Sequence, residues 1–426
     1  MAHEQIERTE RTGRTEHAGR SGRTGRTEAA GRSERTGRSE RTGWTERTGR
    51  SERTGRTERI EIARAELLAR AANSADALGM FAEASRHLRR LVPYDAAVWR
   101  VTDPETGMMA APIRAENLDE HGCAVYWETE LFTENVNLFR DLARAAVPVA
   151  GLREATGDLP ARSGLYHSFM KPRGLQDELR AVLRVGGRPH GHISLFRAHG
   201  RPAFGPVENR LVESLVTPLA RKLRSFAGMS PQPLPDSPHG PGLLLFDASG
   251  ALLSANDDAR AHLADLPEGP AVVAGAGLRV PAWVQATALK ARAVSQGRDR
   301  GHARVRVRTR RGHWLVCHAS CLRESDGRLG PSAVVVEPAK TSEIVPLVVD
   351  AFELTEREAE VTRCIARGLP TGRIAEQLHL SPHTVRDYIK SIFEKVGVSS
   401  RGELVGRLFT EYYAPLAERG TLRTHD

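Results

Sequence analysis

The sequence predicts a multidomain chain. Two consecutive α+β domains are followed by an all-α, four-helix helix-turn-helix domain, all behind a disordered N-terminal tail. Three observations predict it. Residues 8–58 repeat Arg, then Thr or Ser, then Glu or Gly, with almost no apolar side chain. The stretch MSPQPLPDSPHGP carries five prolines and separates two regions of mixed helical and strand periodicity. Residues 350–412 read as helix throughout, punctuated by start and stop signals.

The tail, residues 1–58, comes first. Collagen needs Gly at every third place with abundant proline, and here Gly shares its place with Glu. A period of three also drifts around a 3.6-residue helix, so no apolar face forms. Such a segment cannot offset its ordering entropy and is expected to be disordered. Residues 8–58 hold 14 Arg and 8 Glu, a net of +6 out of the chain's +9. The conspicuous basicity thus belongs mostly to a segment without fixed geometry, which offers phosphates only sequence-independent attraction. A chain starting at Arg59 is expected to keep any sequence-specific recognition.

The first α+β domain is expected over residues 60–226. Ile60, Ala63, Leu67 and Leu68 have helical spacing, as do Leu78, Phe81, Leu88 and Leu91. DAAVWRVTD, residues 95–103, reads as a strand. Leu179–Val185 and Gly191–Arg197 read as a hairpin across a Gly-Gly-Arg-Pro turn. An amphipathic helix through Val207, Leu211, Leu215 and Leu219 closes the domain. This order resembles a GAF-like sensory domain. A linker, residues 228–241, follows. Beyond it come a buried strand, a turn at Ala248-Ser249-Gly250, a short strand and a helix opened by Asn256. Three strands, HARVRVRTR, HWLVCHASCL and PSAVVVEP, turn at Arg311-Gly312 and Asp326-Gly327. Residues 242–338 resemble a PAS-like domain.

The C-terminal region is the most explicit. Thr355 with Glu358 forms a capping box, and Gly368 ends that helix. Thr371 can cap a second helix carrying Ile374, Ala375 and Leu378. Ser381 before Pro382 is an N-cap with proline at the first helical position, and Gly397 stops the third helix. Ser400 with Glu403 opens a fourth. The tight His379-Leu380 turn makes the second and third helices a helix-turn-helix. On the third, Val385, Ile389, Ile392, Phe393 and Val396 form an inward stripe, and His383, Arg386, Asp387 and Lys390 form the opposite one.

LTEREAEV, IARGLPTGRIAEQL and LSPHTVRDYIKSIFEKVGVSSRGEL, within residues 352–409, resemble the DNA-binding domain of LuxR-type transcriptional regulators. The resemblance implies that the third helix enters the major groove and that the fourth supports dimer contacts. Thr384, Val385, Arg386 and Lys390 match positions that face DNA in that family. Val385 is therefore claimed by both core and groove. Arg386 suits a guanine edge or a phosphate, and Lys390 suits a phosphate. Thr371 and Arg373 can touch the backbone of double-stranded DNA. Tyr388 and Asp387 stand where His and Asn are frequent in that family, and Asp387 either repels phosphate or accepts from a cytosine amino group. Residues 350–410 carry 9 basic and 9 acidic side chains, so one copy binds modestly and a homodimer on paired half-sites is expected.

Other candidates have plainer readings. His190 and His192 suit a polar turn and strand edge better than a metal site. Cys317 and Cys321 share one face of a strand, as core residues or a redox pair. Asp247 suits a turn cap better than a phosphoacceptor. Trp99, Tyr94 and Phe196 suit core packing or a ligand cavity. No nucleophile motif, phosphate-cradling glycine loop or metalloprotease motif occurs, so neither enzyme activity, a metal nor a cofactor is expected. The four cysteines include no CxxC pair, and no apolar run of about 18 residues suggests a membrane span. The expectation is a cytoplasmic, DNA-binding regulator whose sensory regions answer to an unknown small-molecule ligand or a partner. The rival is a signalling or scaffold protein whose C-terminal helices make only protein contacts.

Overall fold

The computed structural model describes residues 58–119, 122–228 and 240–406. The expected disorder of the tail and most of the linker 228–241 lie outside the described residues, as do residues 407–412 of the expected helix-turn-helix domain. Among the described residues, no helix is long and apolar enough to cross a membrane.

The first unit opens with α1 (residues 58–72), which buries Leu67 and Ala71. In α2 (Ala77–Leu91), Asp76 caps the helix by accepting from the Gly79 amide at 2.7 Å. Its inward face is Met80, Phe81, Ala84 and Leu88, while Leu78 and Leu91 are only half-buried. The expected face is thus rotated, because spacing picks out the large side chains and passes over Ala84, which lies against the sheet. Then come β1 (Ala96–Thr102), β2 (Met109–Glu116), α3 (Gly122–Phe132), α4 (Phe139–Leu142), β3 (Val149–Gly151), α5 (Leu152–Thr156), β4 (Leu175–Val185), β5 (Arg188–Ala198) and α6 (Pro206–Ser225).

The five strands form an antiparallel sheet in the order β2-β1-β5-β4-β3. Between β4 and β5, Gly186 and Gly187 both have positive φ, 58° and 76°, and Val185 pairs with Arg188. Two positive central residues match the right-handed strand twist, so the turn is tighter than the four-residue turn expected. One sheet face, with Trp99 and Leu195, is covered by Leu67, Phe81, Leu215 and Leu219 of the helices. Tyr94 joins this core, and Phe196 packs on the opposite face. The buried stripe of α6 is Val212, Leu215, Val216, Leu219 and Leu223, and Val207 points to solvent, correcting the face expected from Val207 and Leu211. Gly191 of β5 lies close under α6: a Cβ there would lie 2.7 Å from Leu223 Cδ1 and 2.9 Å from the Arg100 carbonyl.

The second unit contains β6 (Gly242–Phe246), β7 (Leu252–Ala255), α7 (Asp257–Ala264), β8 (Ala271–Val273), β9 (Arg279–Pro281), α8 (Ala282–Ser295), β10 (Arg304–Arg308), β11 (Trp314–Arg323) and β12 (Leu329–Pro338). Asn256 caps α7, accepting from the Ala259 amide at 2.9 Å. Asp247 accepts from the Ser249 hydroxyl at 2.7 Å and the Ala251 amide at 2.9 Å, so it caps its turn. The sheet order is β10-β11-β12-β6-β7. Numbered within each unit, and leaving aside the small β8–β9 pair, both sheets read 2-1-5-4-3.

The two units share an apolar core. Helix α3 packs against α8, and Met109 and Trp127 belong to the same cluster as Trp283 and Leu315. The proline-rich stretch therefore joins units whose cores are continuous. Next, α9 (Thr341–Ala351) leads to the C-terminal helices α10 (Glu356–Ala366), α11 (Thr371–Leu378), α12 (Pro382–Val396) and α13 (Arg401–Val405).

Candidate nucleic-acid interface

Capping chemistry builds the C-terminal helices. Thr355 Oγ1 accepts from the Glu358 amide, and Glu358 Oε2 accepts from the Thr355 amide at 2.6 Å. The loop after α10 turns at Gly368, φ 77°. Thr371 is the first helical residue of α11 and Pro370 the N-cap, so Thr371 is not the cap. Proline before it supplies the extended backbone, and the Thr371 hydroxyl instead accepts from Arg401 Nη2 at 2.7 Å. Arg401 also donates to the Leu369 carbonyl, fastening α13 to the start of α11. His379, in the left-handed region at φ 55°, makes the turn. Ser381 Oγ accepts from the Thr384 amide at 3.0 Å to start α12, and Gly397 ends it. Ser400 caps α13, while the Glu403 carboxylate reaches back to the Ser399 amide, one residue short of a reciprocal box.

The core beneath α12 holds Val361, Ile374, Ala375, Val385, Ile392, Val396 and Leu404. Ile389 and Phe393 are only half-buried at its edge. Glu358 does more than cap. Its carboxylate also accepts from Ser391 Oγ and Lys395 Nζ, both at 2.6 Å, so it binds α12 to α10. Burial pushes this carboxyl up, but Lys395, Ser391 and Thr355 outweigh it and hold the group down at about 2.

The remaining face of α12 is polar. His383 and Asp387 form an exposed i,i+4 pair at 3.0 Å. Thr384 is half-buried, its hydroxyl 2.8 Å from Ser381 Oγ. Arg386 and Lys390 are exposed one turn apart, and among the described residues no carboxylate pairs with either. Arg373 is exposed on α11 and pairs with Glu376 at 2.9 Å. Val385 is 0 % exposed, so of its two expected places it takes the core and does not reach a groove. Arg373, His383, Arg386, Asp387 and Lys390 thus stand in solvent, Thr371 and Thr384 lie half-covered, and Val385 is inside.

The sequence pattern of "Bacterial regulatory proteins, luxR family" matches residues 353–408. Spore germination protein GerE of Bacillus subtilis is 38% identical over 55 residues, 13% of this chain and 74% of GerE. The chain belongs to the luxR family of bacterial regulatory proteins. This luxR-family chain is also similar to transcriptional regulatory protein DesR of B. subtilis, 43% identical over 58 residues, 14% of this chain and 29% of DesR. UhpA of Escherichia coli K12 is 43% identical over 56 residues, 13% of this chain and 29% of UhpA. The chain thus covers under a third of the length of these two relatives. Among solved structures, SdiA of E. coli with octanoyl-rac-glycerol overlaps 82% of this chain and 93% of its own at 12% identity, with a TM-score of 0.30. The phage VqmA–DPO complex overlaps 43% and 87% at 21% identity, with a TM-score of 0.21. These overlaps are too loose to define a shared fold.

Elsewhere, sequence reasoning missed a buried polar cluster inside the first sheet. Arg180 meets Glu130 at 2.8 Å and Glu178 at 2.9 Å, and Tyr126 donates to Glu178 at 2.8 Å. Arg100 stacks over Phe139 at 4.7 Å and donates to Ser194 at 2.7 Å. Burial, with Arg100 and Arg180 nearby, holds His192 well below the ordinary histidine range, and its ring stacks on Phe139. His190 and His192 both lie buried on β5, correcting the polar turn and edge expected for them. Cys317 is buried, and burial raises its thiol to about 12 despite a bond from Thr287, so it stays protonated; Cys321 is half-buried.

Proposed function

We propose that the protein is a sequence-specific transcriptional regulator that binds double-stranded DNA as a homodimer through α12. Its residues 60–226 act as a GAF-like sensory domain and residues 242–338 as a PAS-like one, in a cytoplasmic protein. The observation that carries the DNA reading is the exposed Arg386–Lys390 stripe on a helix whose opposite side is locked by Val385, Ile392 and the Glu358 bonds. Base recognition needs a cation presented at fixed geometry, and a helix anchored along its opposite side provides it. The shared 2-1-5-4-3 strand order supports reading the two α/β units as one kind of sensory module used twice. A ligand shifts such a protein only through its differential affinity for two arrangements of the DNA-binding domains.

A mobility-shift titration on DNA selected from genome-wide binding sites tests this. Arg386→Ala is expected to lose about 1–3 kcal/mol of preference for its sites over random DNA, with the fold retained. Lys390→Ala is expected to weaken all sequences alike and to lower the salt slope by about one. Unchanged affinity and specificity in Arg386→Ala would remove the assignment and favour a protein-contact role for these helices.

A further inference from the structure

Where the first unit, the second unit and α9 meet lies a cavity of about 590 Å³. Ligand pockets typically run at about 300–1,000 Å³. Its apolar wall includes Leu78, Val101, Leu223, Phe226 and Leu347, with Trp314 from the start of β11. Four buried polar atoms of its lining residues make no hydrogen bond among the described residues: Arg224 Nε and Trp314 Nε1, and His190 Nε2 and Asp350 Oδ2, which face each other at 3.5 Å. Leaving a buried polar atom unpaired costs about 1–3 kcal/mol, and the two N–H donors of Arg224 and Trp314 beside one cavity point to a group that satisfies them.

The chemistry of that group follows from which partners are already taken. Arg306 is held by Asp103 through two bonds of 2.7 Å. Arg308 donates to the Gly312 and Phe226 carbonyls at 3.0 Å, and Arg224 Nη2 is engaged by Glu353. Arg310 donates to the Ala264 carbonyl, Arg311 faces Asp265 at 3.7 Å, and the lining carboxylates of Asp76, Asp103, Glu268 and Asp350 nearly balance the five lining guanidiniums, so the site makes no strong call for an anion. His190 is held near 4 by burial, then by Arg224 and Arg188, so its imidazole is neutral at pH 7 and can donate or accept. The cavity wall therefore offers two N–H donors, Arg224 Nε and Trp314 Nε1, and one acceptor position where the Asp350 carboxylate lies beside the neutral His190 ring.

We propose that this junction cavity binds an uncharged, mostly apolar organic molecule carrying one hydrogen-bond donor and one acceptor. The donor meets Asp350 Oδ2, and the acceptor meets Trp314 Nε1 or Arg224 Nε. Leu347 and Asp350 belong to α9, and three residues on the Glu353 carbonyl accepts from Lys395 of α12 at 3.2 Å. An occupant thus touches both sensory units and the connector that ends against the DNA-reading helix. Binding stands on the cavity alone; only its consequence for DNA rests on the regulator reading.

The test uses the full chain and N-phenyl-1-naphthylamine, an uncharged apolar fluorophore with a single N–H donor. One saturable site is expected, with energy transfer from Trp314 that falls in Trp314→Phe. Ala227→Trp fills the cavity and is expected to weaken binding at least tenfold at unchanged circular dichroism. Saturation is also expected to slow amide exchange in residues 343–351. Non-saturable binding, or full affinity in a folded Ala227→Trp variant, overturns the proposal. Should that variant not fold, undiminished transfer in Trp314→Phe overturns it instead. DNA binding is followed separately by anisotropy. A chain that takes the fluorophore but no DNA keeps the site and loses the regulator reading, and the reverse result keeps the regulator and loses the site.

Discussion

In the C-terminal helices, Glu358 finds Thr355, Ser391 and Lys395 within one short domain. Inside the first sheet, Arg180 of β4 gathers Glu130 from α3, Glu178 from its own strand and the Asn137 carbonyl from a loop. Both are buried ions at the centre of a network, yet they serve different ends. Glu358 is single, its partner Lys395 is part-exposed, and it fixes the pose of a helix whose other face is left to solvent. The Arg180 cluster is closed on itself, with two carboxylates around one guanidinium and aromatic rings above it. A buried ion pair contributes little net stability over apolar packing, but removing one partner costs a great deal. One region uses charge to orient a surface, and the other to fix which side chains share its interior.

The largest effect is expected where the closure is tightest. Arg180→Ala leaves Glu130 and Glu178 facing each other in a buried site and is expected to cost about 3–5 kcal/mol in urea unfolding. Amide exchange should accelerate first in β4 and α3 and leave α10 and α12 protected. If both regions lose protection together, the two networks are not separate and the comparison fails.

Glu358→Ala should cost less, about 2–3 kcal/mol, because Lys395 regains solvent. The pH dependence separates this from simple cap loss. The folded carboxyl sits at about 2, below its unfolded value near 4.5, so its contribution is full above 4.5 and vanishes as pH falls towards 2. The wild-type domain is expected to lose stability across that window, and Glu358→Gln to show a flatter profile. Equal acid profiles in the two proteins would mean that the carboxylate does not hold α12.

The contrast also explains what could be read from the sequence. Thr355, Ser381, Gly397 and Ser400 act on neighbours three or four residues away, so their signals are local and the C-terminal helices were legible. The Gly186-Gly187 hairpin and the Asn256 cap were legible for the same reason. Glu358 was readable as a cap but not as an anchor, since Lys395 lies 37 residues on. Arg180 and Glu130 are 50 residues apart and carried no pattern at all. Helix α3 was missed because, lying between the first sheet and α8, it is apolar on more than one side and shows no clear stripe. Spacing gave α2 and α6 as helices but misjudged their faces, where Ala84 and Val212 turn inward and Val207 outward. For the candidate interface, Arg386 and Lys390 stand exposed where the polar stripe put them, and Val385 was decided only by its burial.

The smallest expected effect is at Ser381, where orientation and surface meet. Ser381→Ala removes the bond to the Thr384 amide and the contact with its hydroxyl, at about 1 kcal/mol, and should leave the fold and most of α12 intact. Exchange at the first-turn amides of His383, Thr384 and Val385 should report it. Ser381→Asp restores a capping oxygen and adds a negative charge that the helix N-terminus favours, so stability returns to the wild-type level or slightly above it. The same charge would stand at the end of the helix proposed to enter the groove, where it repels phosphates. Stability and DNA affinity are therefore expected to move in opposite directions in this one variant. A Ser381→Asp protein that binds DNA as tightly as wild type would place the start of α12 away from the DNA backbone, leaving Arg386 and Lys390 to approach from the helix middle.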